Sequence, residues 1–192
     1  SDSPLIHENQ AYPAYPELSY GWAKLIGEQS VEAASKEHKL KIAIARFIGI
    51  YGPNQDFGVN TGSVIPVFSY KAIKYPELGF KIWGTGKETR SYCFIEDTLD
   101  CIELMINKMD EIDIIGPLNV GKEERITISD IAKTVIEISK KEIIEEYDTD
   151  KATVIWGQWC SCQKAKEVLG WEGKTTLQEG IKKVYDNIKN RS

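Results

Sequence analysis

The stretch that most constrains the fold is Lys41–Phe47, KIAIARF, a short apolar run that follows directly on a helical pattern. Ser19 can cap a helix running through Glu28 to about Lys36, with Trp22, Leu25, Ile26 and Val31 at helical spacing. A helix feeding a buried strand that ends near the turn Tyr51-Gly52-Pro53 belongs to a layered α/β protein. The rest of the chain keeps that alternation. A second helix is expected over about 63–74, closed by Pro76, then a strand FKIW, the glycine turn Gly84-Thr85-Gly86 and a strand SYCFI. Asp97 opens another helix, 118–120 form a short strand, 128–138 an amphipathic helix, and IIEEY at 143–147 one more strand. Helices near 163–169 and 177–188 finish it, while the first seventeen residues, with Pro4, Pro13 and Pro16, read as an irregular approach. This is mixed α/β with too few strands for a complete doubly wound sheet.

Composition removes several classes of function. At 192 residues the chain can bury one good core, or one domain and part of another. A net charge of -5 offers no basic footprint for nucleic acid. No apolar run reaches membrane-span length and no signal peptide is visible, so the expected location is the cytoplasm. The chain begins at Ser1 rather than Met, as a processed product or an excised fragment would. Cys160 and Cys162 form C-x-C, without the spacer of common zinc or redox pairs. Neither His7 nor His38 lies near a cysteine in sequence, so no metal site is expected and the thiols read as reduced.

Chemistry concentrates at Tyr20-Gly21-Trp22-Ala23-Lys24. A four-residue offset puts the phenol and the ammonium on one helix face, a turn apart. A phenol titrating near 10 is a poor proton carrier at neutral pH, and a neighbouring ammonium favours its charged form. Taken alone, the pair could equally be a surface helix contact. Two glycine stretches invite a phosphate-loop reading. Gly116 to Lys122 almost fits the P-loop pattern, but Glu123 stands where a hydroxyl should bind magnesium, which rejects it. Gly84-Thr85-Gly86 lacks the strand, turn and helix of a dinucleotide loop and is expected to be a hairpin turn that presents Arg90. A guanidinium there suits two phosphate oxygens at once; the plainer alternative is an ion pair with Glu88 or Glu96.

Six short motifs stand in one order: Tyr20 to Lys24, Arg46 to Pro53, Gly84 to Arg90, Asp97, Asn119 to Gly121, and Leu169 to Trp171. In that order they resemble the NAD-dependent epimerase/dehydratase family, extended short-chain dehydrogenases/reductases acting on nucleotide sugars. The resemblance covers nearly the whole chain as the carboxy-terminal portion of such a protein. It implies the last part of a Rossmann-type doubly wound domain (1–60) followed by a mostly nucleotide-sugar-binding, small mixed α/β domain (61–192). It also implies a homodimeric parent that binds NAD and a nucleoside-diphosphate sugar. Tyr20 would be the acid/base and, with Lys24, Phe47 and Ile48, would adjoin the cofactor. Gly49, Ile82, Trp83, Arg90 and Tyr92 would adjoin the substrate, with Arg90 on the diphosphate. For Trp83 a buried core aromatic is the competing reading.

The implied reaction is transient oxidation of the sugar, as in a UDP-glucose 4-epimerase-like enzyme. A 4,6-dehydratase and a non-catalytic nucleotide binder are the alternatives. Departures from the family pattern are visible. Gly49 stands where relatives commonly carry Asn, and Val154–Ser161 holds neither the Arg nor the Asp often found there. No Lys occurs from Gly52 to Val67, against an epimerase of ring carbons 3 and 5. Only nineteen residues precede Tyr20, so the family's glycine-rich cofactor turn and its catalytic Ser or Thr would lie upstream, and Ser1 and Ser3 do not take that role. The chain alone is therefore expected to be inactive and not to bind NAD.

Overall fold

A computed structural model describes residues 5–16, 18–151 and 157–192. Ser1, Ser3 and the stretch from Val154 to Trp156 lie outside the described residues. The approach segment holds a short 3-10 turn at Glu8–Ala11 and a bridge from Ile6 to Cys160. Helix α1 spans Ser19–His38, and Leu18 rather than Ser19 is its N-cap. Its expected apolar face is only partly used, since Trp22, Ile26 and Val31 stay 45%, 60% and 42% exposed.

Strand β1, Ile42–Phe47, runs parallel to β6, Ile114–Val120, with Ala45 opposite Leu118 and Phe47 opposite Val120. Helix α3, Ile95–Lys108, and α5, Gln163–Leu169, close this layer. Its core joins Ile115, Leu118, Val120, Met105 and Trp171 with all four cysteines, which are buried free thiols. In β1, Ile42 and Ile44 are buried, while Ala43 and Phe47, which point to the opposite face, are exposed.

A second core lies under α2, Val64–Ile73, α4, Ile128–Ser139, and α6, Leu177–Lys189. It buries Ile65, Phe68, Phe80, Ile82, Ile131 and Ile181. Reciprocal capping boxes start two of these helices, Thr127 with Asp130 and Thr176 with Glu179, so their orphan N–H groups are satisfied locally. Short strands knit the edges. Strand β2, Ile50–Tyr51, pairs with β5, Cys93–Phe94, and β3, Lys81–Trp83, pairs with β8, Glu146–Asp148. Strand β4, Thr89–Arg90, lies between β7, Ile126–Thr127, and β9, Gly157–Gln158.

The first core draws on 42–47, 93–120 and 160–171. One expectation changes here. The glycine turn at 84–86 is no hairpin, because β3 and β4 belong to different sheets. Instead Gly84 donates to Asp148 O and Gly86 O accepts from Ser129, so the turn runs along the start of α4. Gly86 has φ +76, and a Cβ there would sit 2.2 Å from Ser129 Oγ. That close approach requires glycine.

Candidate functional site

Tyr20 and Lys24 sit on the first turns of α1, on one face as their spacing requires. The Lys24 ammonium lies 5.2 Å from the centroid of the Tyr20 ring, and Tyr20 is 72% exposed. Both line a groove of about 830 Å3 whose other walls include Leu25, Arg46, Phe47 and Ile48. Phe47, the last residue of β1, is exposed. Ile48 also borders a smaller hollow of about 270 Å3 with Gly49, Trp159 and Cys160.

What holds α1 against this sheet is a forked ion pair. Arg46 Nε and Nη2 donate to Glu28 Oε1 and Oε2 at 2.9 and 2.7 Å, and Nη1 donates to Glu8 O at 2.8 Å. The hydrogen bonds to Glu28 raise the Arg46 pKa against the effect of its burial. Glu28 lies on the same helix as Lys24, one turn further on, so this pin sets the position of the phenol and ammonium. Asn119 ties down the approach segment as well: its backbone N–H donates to Glu8 Oε1, and its side-chain amide to Ile6 O and Ser161 O.

Gly49 has φ +61, and a Cβ there would stand 1.9 Å from the carbonyl oxygen of Ser91. Its own carbonyl accepts from Cys93 N at 3.1 Å. Backbone packs where a side chain would stand, so the local geometry leaves glycine alone. Asp97 and Trp171 are structural partners. The Asp97 carboxylate accepts from Thr175 N and Oγ1 at 2.9 and 3.1 Å, and Trp171 Nε1 donates to Asp97 O.

Arg90 lies in a separate cavity of about 210 Å3, walled by Phe68, Lys71, Lys81, Trp83, Glu88 and Arg90 among others. The ion pairs considered for Arg90 from the sequence are not formed. Its Nη1 donates to Thr89 O, Glu96 pairs with Lys183, and Glu88 Oε1 accepts from Thr85. Trp83 is 45% exposed, with the Lys151 ammonium 4.0 Å over its ring, which removes the core-aromatic alternative. Ile82 behaves oppositely: alternation along β3 turns its side chain into the core at 0% exposure, so it offers a ligand only backbone. Tyr92 is likewise turned to the core, edge-on to Tyr51, and burial raises its pKa despite Arg90 nearby.

Sequence reasoning missed Lys71 and Glu88. Lys71 interrupts the apolar helix VIPVFSYKAI, the one signal that could have flagged it. It is buried, donates to Lys81 O at 2.6 Å, and has its pKa lowered by burial and by Lys151 and Lys81. Ile50, paired with Cys93, follows Phe47 after two residues, and Cys93 follows Arg90 after two.

Residues 1–121 match a family model described as the NAD dependent epimerase/dehydratase family. Among curated relatives, GDP-mannose 3,5-epimerase of Arabidopsis thaliana is 28% identical over 186 residues, covering 97% of this chain and 48% of that protein. A putative UDP-glucose 4-epimerase of Methanocaldococcus jannaschii is 30% identical over 188 residues, covering 97% of this chain and 58% of the relative. The chain thus spans about half the length of the curated relatives it matches. Among solved structures, UDP-glucose 4-epimerase from Thermotoga maritima with UDP-glucose superposes with a TM-score of 0.84 at 24% identity, over 100% of this chain and 59% of that one. UDP-glucuronic acid 4-epimerase from Bacillus cereus, in complex with UDP-glucuronic acid and NAD, gives 0.84 and 24%, over 100% and 58%. These superpositions show the fold, part of a Rossmann-type α/β protein with its small mixed α/β portion.

Proposed function

The chain belongs to the NAD dependent epimerase/dehydratase family, and from that premise we propose that it forms the acid–base and sugar-nucleotide portion of an NAD-dependent nucleoside-diphosphate-sugar epimerase. One observation carries the reading. A phenol–ammonium pair lines one groove, a separate cavity holds Arg90, and the paired strands β2 and β5 begin shortly after Phe47 and Arg90 in the chain.

The groove fits the nicotinamide riboside end of NAD in its donor chemistry. Lys24 offers an ammonium to ribose oxygens, and exposed Phe47 with Ile48 offers an apolar wall to a flat ring. Bound NAD would supply the acceptor and donor of a hydride. Tyr20 takes the proton from a sugar hydroxyl at its phenolic oxygen and later returns it. The accepting form is the phenolate, which becomes the neutral phenol as the proton arrives, and the Lys24 ammonium, one turn away, places a positive charge beside that oxygen. Arg90 grips the diphosphate with two parallel N–H bonds, so binding energy remote from the reacting carbon orients the sugar. Gly49 and Trp83 line the substrate path, with Ile82 contributing backbone and Tyr92 supporting from the core.

A decarboxylase or dehydratase outcome shares this first oxidation. It is favoured to the extent that UDP-glucuronic acid decarboxylase 6 of Arabidopsis thaliana matches 98% of this chain at 28% identity. By itself this stretch holds the diphosphate end without turnover, since its 192 residues include no glycine-rich dinucleotide turn. We assign the parent to the cytoplasm as a homodimer. Four unpaired thiols support the location, and exposed Leu18, Trp22 and Ile26 on and beside α1 support a covered face. No helix of the described residues is long and apolar enough to cross a membrane.

The test is a titration of UDP, GDP and dTDP against this chain and its Arg90→Ala and Arg90→Lys variants at one salt concentration. Charge-assisted bonds are worth about 1.5–3 kcal/mol each, so Arg90→Ala should cost roughly tenfold to a hundredfold in affinity. Lys should recover little, lacking the fork. Unchanged affinity for every diphosphate would return Arg90 to the surface and withdraw the cavity assignment.

A further inference from the structure

The four free thiols take no part in the chemistry proposed above, and two of them stand together. Cys160 and Cys162 belong to the first core, and their sulfurs lie 3.7 Å apart, within hydrogen-bonding range for sulfur. The C-x-C spacing lacks the two-residue spacer of common redox pairs, yet it suffices for a bond. Two steps along the chain keep the Cα atoms within about 7 Å, the limit that a disulfide can span. Bringing the sulfurs from 3.7 Å to a bonded separation of about 2 Å is within the reach of side-chain rotation.

The two thiols are not equivalent. Cys160 is sealed at 0% exposure, its sulfur set against Gly121, where a Cβ would stand 2.9 Å away. Cys162, the residue before α5, keeps 9% of its surface in solvent. The Cys162 sulfur accepts hydrogen bonds from the Cys160 thiol and from Gly121 N–H, and these hold its pKa below the ordinary thiol value. Burial and the carboxylates of Glu123 and Glu8 act the other way. The bond to Cys162, reinforced by burial, pushes the Cys160 thiol upward. The thiolate, not the thiol, is the nucleophile, so Cys162 attacks while Cys160 waits with its proton in place. Cys93, in the same core, is instead bonded to Phe94 O and Thr98 Oγ1, and burial raises both its thiol and that of Cys101.

We propose that Cys160 and Cys162 form a peroxide-sensitive modification site, closing to a disulfide across Ser161. This is independent of the sugar-nucleotide reading. The Cys162 thiolate attacks one oxygen of hydrogen peroxide. The S–O bond forms, the O–O bond breaks, and hydroxide leaves, taking up a proton to become water. The Cys160 sulfur then attacks Sγ of the Cys162 sulfenic acid. The S–S bond forms, the S–O bond breaks, and the departing hydroxide takes the Cys160 proton as water. In sum two thiols and one peroxide give a disulfide and two waters, the sulfurs losing the two electrons that the peroxide oxygens gain. An oxidant hardly larger than water suits a residue so enclosed, and no reagent has to reach the interior sulfur. Closure also moves a residue tied to the chain start, since Ser161 N donates to Ile6 O and Ile6 N to Trp159 O. Cys160 lines the hollow that Ile48 shares with the Tyr20 groove, so the disulfide forms at a wall of that groove.

Trypsin makes the experiment direct. Cleavage after Lys151 and Lys164 puts both cysteines in the peptide 152–164. Cleavage after Arg90 and Lys108 puts Cys93 and Cys101 together in the peptide 91–108, an internal control. The folded 192-residue chain is exposed to hydrogen peroxide, then unfolded in urea, alkylated with iodoacetamide and digested. The expected product is a peptide 152–164 with no alkyl group and the mass of two hydrogens less than its dithiol form. It should form at least about tenfold faster than any oxidation of 91–108, and dithiothreitol before alkylation should return it to the doubly alkylated form. Alanine variants, which keep a small apolar residue in the core, test the order of attack with dimedone as a trap for sulfenic acid. Cys160→Ala should gain the adduct at Cys162, and Cys162→Ala should gain none at Cys160. A wild-type peptide 152–164 that stays doubly alkylated, oxidises no faster than 91–108, or stops at sulfinic acid without the disulfide overturns the proposal. An adduct at Cys160 but not at Cys162 overturns the assigned order. The wild-type measurement decides the site even where a variant fails to fold.

Discussion

The Arg46–Glu28 fork is the contact on which the geometry of Tyr20 and Lys24 depends, and its energy can be worked from the structure. Two charge-assisted bonds of 2.9 and 2.7 Å join side chains that are 21% and 16% exposed. Such bonds are worth about 1.5–3 kcal/mol each when shielded, and breaking a fully buried pair costs about 3–5 kcal/mol. Exposure of roughly a fifth lowers that toward surface values, so Glu28→Ala should destabilise by about 2–3 kcal/mol. Arg46→Ala should cost about 1 kcal/mol more, because it also deletes the bond to Glu8 O and leaves Glu28 without its cation. For a chain of this size each kcal/mol moves the melting temperature by about 2–4 °C, giving a drop of about 4–12 °C for Glu28→Ala. The assay is a double-mutant cycle by urea unfolding, with Glu28→Ala, Arg46→Ala and both together. The expected coupling is about 2 kcal/mol. Coupling below about 0.5 kcal/mol would refute the claim that the fork pins α1 to β1.

Three further outcomes are expected. In a longer protein that joins this chain to a dinucleotide-binding segment, Tyr20→Phe should lower kcat by about 10²–10⁴ while nucleotide-sugar affinity stays within a few-fold; retention of more than about a tenth of kcat would show that Tyr20 is not the proton carrier. Gly49→Asn should destabilise by more than about 1 kcal/mol, since the new Cβ meets Ser91 O, and thermal unfolding checks it. Burial raises the Cys93 thiol to about 11 and the Cys101 thiol to about 12, so both stay protonated at pH 8. Neither should take up iodoacetamide at pH 8 in the folded chain, and both should react in urea, as peptide mass mapping would show.

The elements that carry the chemistry were legible because their signals are local. The four-residue spacing of Tyr20 and Lys24 places them on one helix face whatever surrounds the helix. The short, β-favouring apolar run 42–47 forms the expected strand, and Thr127 with Asp130 and Thr176 with Glu179 mark helix starts within four residues. The motif order brought Arg90 and Trp83 to attention, and both line one cavity. Other features arise between residues far apart in the chain, and no local pattern encodes them. Whether Gly84–Gly86 closes a hairpin depended on the partners of β3 and β4, which come from 146–148, 126–127 and 157–158. The same long-range pairing buried Ile82 and turned Tyr92 onto Tyr51. Lys71 and Glu88 read in the sequence as one helix lysine and one loop glutamate. The fold brings them to a single cavity with Arg90, because burial, unlike helical spacing, is set by what the rest of the chain folds over a residue.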